Sequence, residues 1–409
     1  MSDHRIAIMN GRAILPGEEE AVAANILIEG DRIARIGSFD LPDGCDWIDA
    51  GDMLVAPGII DLGVFRTDKP AFHFGGITRA GLMPDQSPPL DDPGLIQRAA
   101  RAGKPDFWIH PIAAATRGLA GAEMAEIASM KAAGAKAVAT GRHWIADSGV
   151  MARVLSYAAA LDLTVIAHAE DSGLVGKAVA TAGETATRLG LPAAPAEAES
   201  MAVARDIALA RLTGAALHFR ILSTGAAFDL VRAAKREGLK VSCGTSPAYA
   251  YLSDIAVTDF RTFARLSPPL RHEDDRLATL RAIADGTVDV LTSSHDPRGP
   301  EDKRLPFDDA TPGMAGAETL LALTLGMVRD GHIDHGRMME LLARNPARLL
   351  GIDAGVLAVD MPADIILIDA DRPWRVDSGK MAAEAGNTPF DRLPVQGRVG
   401  RVMKGGHFL

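Results

Sequence analysis

The sequence predicts an α/β fold: a (β/α)8 TIM barrel with a small β-sandwich domain built from both termini. Three observations predict it. The middle of the chain alternates short apolar runs with amphipathic helical patterns. Both ends carry strand and turn signals without helices between them. The chain has 409 residues and 47 % hydrophobic composition, enough for a sizeable core and too much for a disordered chain.

The elements follow in order. Residues 5–9 and 12–15 flank Asn10-Gly11, a two-residue hairpin signal because both residues tolerate positive φ. Residues 25–29 and 32–36 flank Gly30-Asp31 in the same way. Residues 1–54 therefore read as the first part of the sandwich. Candidate barrel strands follow at 59–65, 77–83, 107–113, 135–139, 164–168, 216–222, 240–243 and 288–293. The helical pattern at 123–132 places Met124, Ile127 and Met130 on one face. A second helix at 228–237 ends at Gly238, a natural glycine just past a helix C-terminus. Eight strands with helices between them, in residues 55–352, suit a barrel of ~250 residues with insertions. An open doubly wound sheet fits the same alternation and stays as the alternative. A strand at 363–369 and another at 395–403 place residues 353–409 in the second part of the sandwich.

Composition excludes several functions. The formal net charge is −10, whereas phosphate binding needs clustered Lys and Arg, so no nucleic-acid partner is expected. Two cysteines, Cys45 and Cys243, are too few for a disulfide framework or a thiolate zinc site. That usage fits a reducing compartment. The first residues lack a signal-peptide apolar core, and no apolar run approaches the ~20 residues that span a bilayer. The expectation is a soluble cytoplasmic protein without a membrane partner.

Motifs spread over nearly the whole length carry a specific resemblance. They are Pro57-Gly58-Ile59-Ile60-Asp61-Leu62, Gly76-Ile77-Thr78, Met83-Pro84, Ala167-His168-Ala169-Glu170-Asp171 and Pro268-Pro269-Leu270-Arg271. Further along come Pro306-Phe307, Pro312-Gly313-Met314-Ala315-Gly316-Ala317-Glu318-Thr319, Asn345-Pro346-Ala347-Arg348-Leu349-Leu350-Gly351 and Asn387-Thr388-Pro389-Phe390. Together they resemble the type I dihydroorotases, in the allantoinase and hydantoinase branch of the amidohydrolase superfamily. The resemblance implies a metal-activated hydroxide attacking a cyclic amide, because zinc brings its bound water near neutrality. It also implies a ligand set. This comprises His-x-His after strand 1, a bridging Asp or modified Lys after strand 4, one His each after strands 5 and 6, and an Asp after strand 8.

This chain departs from that set at most positions. Gly63 and Phe65 stand at the His-x-His. Thr140, in Val138-Ala139-Thr140-Gly141, stands where the bridging carboxylate belongs, and Lys136 lies on the wrong side of the motif to replace it. His168 is kept after strand 5. Ile221 and Ser294 replace the strand 6 histidine and the strand 8 aspartate. A catalytic zinc takes three protein ligands, so His168 alone cannot hold one. The expectation is no metal, no cofactor and no catalytic residues. Histidines and carboxylates are lost together, which avoids burying uncompensated negative charge. Phe65 and Ile221 are expected to fill the vacated space. The substrate grip differs as well. Thr67 stands where an Arg is expected, with Arg66 one position earlier, and Asp85 replaces an Asn after Met83-Pro84.

Other motifs have ordinary readings. Ser294-His295-Asp296 has the letters of a hydrolase triad, but neighbours on a strand end point to alternate sides. His168 with Glu170 and Asp171 reads as a hydrogen-bonded histidine. His332 and His335 read as a solvated turn beside Asp330 and Asp334. Cys243 reads as a small buried residue, because a nucleophile needs a thiolate and a base. The acidic stretches at 91–92, 273–275 and 308–309 read as solvated faces or caps.

The functional expectation is a non-catalytic dihydroorotase homologue. The resemblance implies aspartate carbamoyltransferase as its partner in de novo pyrimidine biosynthesis, and a homo-oligomer is expected. One alternative is an active cyclic amidohydrolase with an altered or mononuclear zinc site drawing on His168, His218, His295 and Asp296. Another is a metal-free protein binding a pyrimidine or ureide, with Arg66, Arg271 and Arg298 holding an anion.

Overall fold

The computed structural model describes residues 5–409. Eight parallel strands form its centre: β1 (Ile59–Val64), β2 (Ile77–Leu82), β3 (Trp108–Ala114), β4 (Ala137–Ala139), β5 (Val165–Ala167), β6 (Leu217–Phe219), β7 (Val241–Thr245) and β8 (Val290–Leu291). They are hydrogen-bonded side by side in chain order. Every residue of β1 and β2 is buried, the mark of parallel strands covered on both faces. Helices such as Ser148–Ala160, Glu197–Thr213 and Gly225–Arg236 form the outer layer. The barrel is nearly closed, so the open doubly wound sheet is set aside.

The seam between β8 and β1 is closed by a side chain. Asp61 is fully buried on β1. Its Oδ1 accepts from the Thr292 hydroxyl at 2.7 Å and from the Ser293 N–H at 3.0 Å, and its Oδ2 accepts from the Ser293 hydroxyl. Burial pushes the Asp61 carboxyl up, and these hydrogen bonds only partly offset it. Past the strand ends, the Phe65 N–H donates to the His295 carbonyl at 2.9 Å.

Strands from both termini join in a second sheet. Arg5–Ala13 pairs with Val22–Glu29, Asp46–Asp49 and Leu54–Pro57. Leu54–Pro57 in turn pairs with Ile365–Arg375, which pairs with Pro394–Lys404. Ile8, Ile26, Ile28, Ile33 and Leu367 belong to the apolar cluster of this sheet. The Gly30-Asp31 hairpin forms as expected, with Gly30 at φ 61°. The Asn10-Gly11 hairpin does not. Residues 5–13 are one strand with a bulge between Ile8 and Gly11, where Asn10 takes φ 58°. A left-handed residue can insert an extra position without reversing the chain. Val22–Glu29 runs past both halves, so the ladder resumes beyond the bulge.

Two helices differ in extent from the pattern. The first starts only at Ile127, because the Glu123 carbonyl accepts from the Arg117 N–H and Met124 bridges Thr116. The second starts earlier, at Gly225, where the Thr224 hydroxyl caps the Ala227 N–H. The two sheets meet at Asp364. Its carboxylate accepts from Arg79 Nε of β2 at 2.8 Å and from Lys404 Nζ at 2.7 Å. Among the described residues, no helix is long and apolar enough to cross a membrane.

Candidate functional site

The C-terminal ends of the barrel strands surround a cavity of about 290 Å³. Phe65, His168, Arg220 and Ser294 line it from the strand ends, and Arg142, Glu170, Tyr249, Arg265 and Asp296 line it from loops. Three residues read from the sequence as former ligand positions stay out of its lining. Thr140 braces the exit of β5, its hydroxyl oxygen accepting from the His168 N–H at 2.9 Å. Ile221 packs with Tyr249, Leu266 and Leu270 in an apolar cluster. Gly63 lies beneath the Arg220 side chain, and a Cβ placed there would sit 3.5 Å from Arg220 Cγ and Cδ.

Phe65 fills the centre of the mouth. Its ring carries two guanidinium groups, Arg142 with Cζ 3.7 Å from the centroid and Arg220 with Cζ 4.9 Å. A cation over an aromatic face is worth about 0.5–2 kcal/mol, more where water is excluded. Asp85 holds the Arg142 backbone N–H at 2.9 Å. The Arg142 guanidinium then reaches across to Asp296 Oδ2 at 2.7 Å. The residue that replaces an Asn in the family pattern thus anchors a bridge over the barrel mouth.

Arg220 has no comparable partner. It is 4 % exposed, and among the described residues its Nε is buried without a hydrogen bond. Burial, with Arg142 alongside, pulls its guanidinium below the ordinary value. Arg265 and Ser294 also line the cavity, and among the described residues the Arg265 Nε and the Ser294 hydroxyl are buried without a hydrogen bond, while Arg265 Nη1 donates to the Leu266 carbonyl at 3.1 Å. Ser294 also sits at φ 49°, a left-handed conformation that non-glycine residues seldom adopt.

His168 belongs to a buried polar network. Its Nε2 lies 3.4 Å from Glu170 Oε2. Glu170 pairs with Arg271 at 2.9 Å, and Arg271 reaches Glu199 at 3.3 Å. Glu199 accepts from the backbone and hydroxyls of Ser223 and Thr224. Burial pushes the Glu170 carboxyl up, but the hydrogen bond from His168 and the charge of Arg271 outweigh it. The carboxyl ends below its ordinary value.

The remaining sequence candidates are dispersed. His295 is fully buried, its Nε2 3.2 Å from Asp68 and its Nδ1 accepting from the Ala317 N–H at 3.3 Å. It faces away from Ser294, while Asp296 is occupied by Arg142 and Arg298, so the three letters form no triad. His335 pairs with Glu20 at 2.6 Å. The Cys243 thiol donates to the Thr287 carbonyl at 3.3 Å, and burial pushes it up, away from thiolate character. Arg66 is largely exposed and pairs with Glu384 at 2.9 Å. Arg271 is held within the Glu170–Glu199 network, and Arg298 pairs with Asp296 at 3.1 Å. None of these three arginines lines the cavity. The arginines that do are Arg142, Arg220 and Arg265, which the motif comparison passed over. His218, two residues before Arg220, stays out of the cavity lining, its Nδ1 2.9 Å from the Ser242 hydroxyl.

The donor set does not fit a metal. Among the described residues, no three His, Cys, Asp or Glu side chains converge to hold an ion. An ion at the mouth would also meet the charges of Arg142 and Arg220.

Comparison with known proteins gives one consistent picture. Residues 73–226 match the family model described as dihydro-orotase-like. A dihydroorotase of Syntrophotalea carbinolica is 37 % identical, over 97 % of this chain and 96 % of that protein. One from a Geobacter species (strain M21) is 35 % identical over 98 % of each. Among solved structures, the L-hydantoinase (dihydropyrimidinase) of Arthrobacter aurescens superposes with a TM-score of 0.88 at 23 % identity, covering 98 % of this chain and 95 % of that one. The dihydropyrimidinase of Brevibacillus agri gives a TM-score of 0.84 at 22 % identity, covering 99 % of this chain and 94 % of that one.

Proposed function

The chain belongs to the dihydroorotase family, and from that premise we propose that it is a non-catalytic member whose role is structural or regulatory. Its scaffold is that of a cyclic amidohydrolase. The observation that carries the proposal is Phe65 under two guanidinium groups, at a position where the family resemblance implies a histidine. Hydrolysis of a cyclic amide needs an activated water and a group to take its proton. At the mouth the former aspartate position is Ser294, and Asp296 and Glu170 are both tied to arginines. His168 is left, hydrogen-bonded to Glu170.

The partner follows from the family resemblance. A barrel that has kept its frame while losing its reagent can still present a surface, and aspartate carbamoyltransferase is the partner proposed. Native co-purification of the two chains, followed by a transferase assay with and without this chain, tests it. A stable complex with altered transferase activity is expected. Separate elution with unchanged activity would overturn the partnership. A ring-opening assay on dihydroorotate, hydantoin and allantoin tests the absence of catalysis, and no turnover above the buffer rate is expected. Turnover that is lost in His168→Ala would favour an active enzyme with a mononuclear site.

A further inference from the structure

We infer that Arg142 is a two-position gate between two cavities at the barrel mouth, held here by Asp296 and able to pass to Asp85. Neither position involves a metal or a partner chain, so the gate stands apart from the function proposed above. The mouth cavity of about 290 Å³ has a neighbour of about 260 Å³. Phe65, Arg142 and Asp296 line both. The bridge from Arg142 Nη1 to Asp296 Oδ2, 2.7 Å long, therefore stands in the wall between them. Beyond it the second cavity runs against Asp85, Gln86 and the loop that carries Arg298 and Gly299.

The charges around Arg142 are shared unevenly. Asp296 Oδ2 takes two guanidinium groups, Arg142 at 2.7 Å and Arg298 at 3.1 Å. Among the described residues, Asp85 takes none at hydrogen-bond distance. Arg142 Nε stays 4.0 Å from its Oδ1, and its Oδ2 is buried without a hydrogen bond. A buried carboxylate oxygen without a donor is costly. If the Arg142 side chain turns, Nε has about 1 Å to close before it reaches Asp85. Asp296 then keeps Arg298 and Asp85 gains Arg142. Each carboxylate holds one guanidinium, and neither charge is left alone.

The surroundings leave that turn free. The Arg142 backbone N–H is pinned to Asp85 Oδ1 at 2.9 Å, so the motion belongs to the side chain. The Phe65 ring, its centroid 3.7 Å from Arg142 Cζ, offers a flat face that holds a cation without a directional bond. The Arg142 side chain is 28 % exposed, so no core packing has to open. Gly141 lets Asp85 come this close. It holds φ 80°, and a Cβ there would sit 2.8 Å from Asp85 Oδ1 and push the carboxylate away.

Crystal structures of the full chain carrying Asp296→Asn or Asp296→Ser test the gate. In both, the Arg142 guanidinium is expected within hydrogen-bond distance of Asp85, with the two cavities joined. Urea unfolding gives an independent reading. Asp85→Asn should hardly change the unfolding equilibrium constant of the wild type, where the carboxylate has no guanidinium at hydrogen-bond distance. In the Asp296→Asn background the same change should raise that constant by about fivefold or more, as expected for two groups in contact. Adding Arg142→Ala should abolish the difference between the backgrounds. Arg142 turned out to solvent or still seated at residue 296 would overturn the gate. So would equal effects of Asp85→Asn in the two backgrounds. A chain unable to fold without the Asp296 carboxylate would overturn it as well, because Asp85 is then no second seat for Arg142.

Discussion

At the scale of the residue, Phe65 and Gly63 stand where the family resemblance implies histidines, and both shape the charge at the mouth. Phe65 provides the aromatic face for Arg142 and Arg220, and Gly63 provides the space for the Arg220 stem. Gly63 also holds φ 97°, a region that suits glycine. Restoring the family residue there should therefore harm the fold. Gly63→His is expected to lose about 1–3 kcal/mol in urea unfolding, the cost of one strained backbone position, and unchanged stability would contradict this packing. The cysteines give a second check. Cys243 is fully buried, whereas Cys45 is partly exposed. A native chain treated with a thiol-reactive dye should label Cys45 well ahead of Cys243, and equal rates would contradict the burial. The positions that the family pattern gives to ligands were legible in the sequence because each sits at a fixed offset within a motif. Arg142 and Arg265 were not, since loops deliver them to the mouth and a motif comparison says nothing of where a loop returns.

At the scale of the element, the strands were the most legible part, because buried parallel strands are continuous apolar runs at regular intervals. The Asn10-Gly11 bulge was misread because a positive-φ pair serves a hairpin and a bulge equally well. Only the partner strand Val22–Glu29 decides between them. Closure of the barrel was hidden for a similar reason. Asp61 on β1 meets Thr292 and Ser293 past the end of β8, and its role is visible only when the chain ends of the sheet come together. Asp61→Ala would leave three buried donors unmet. Destabilisation of about 3 kcal/mol or more is expected by urea unfolding, and a loss below about 1 kcal/mol would mean the seam is held by other contacts.

At the scale of the whole molecule, the joint between the sheets and the buried histidines set the response to conditions. Asp364→Ala would leave Arg79 and Lys404 buried without their shared carboxylate. Breaking such a pair costs about 3–5 kcal/mol, so a clear drop in melting temperature is expected. His110 and His218 are both pulled down from 6.5 to about 3, chiefly by burial and then by nearby cations. The unfolded chain then binds protons that the folded chain refuses between those values. Stability is present above pH 6.5 and falls as pH drops through this window, by up to about 1.4 kcal/mol per pH unit for each ring. Asp206, raised to about 6 by burial, acts in the opposite direction, so the wild type is best compared with His218→Asn. The variant should lose less stability than the wild type between pH 7 and pH 5, and parallel losses would contradict the account. The central claim, that a cationic and aromatic mouth has replaced a metal centre, meets its most direct test in the zinc content of the purified full chain by plasma mass spectrometry. The account predicts well under one zinc per chain even after growth with added zinc, and a stoichiometric ion that persists through gel filtration would contradict it.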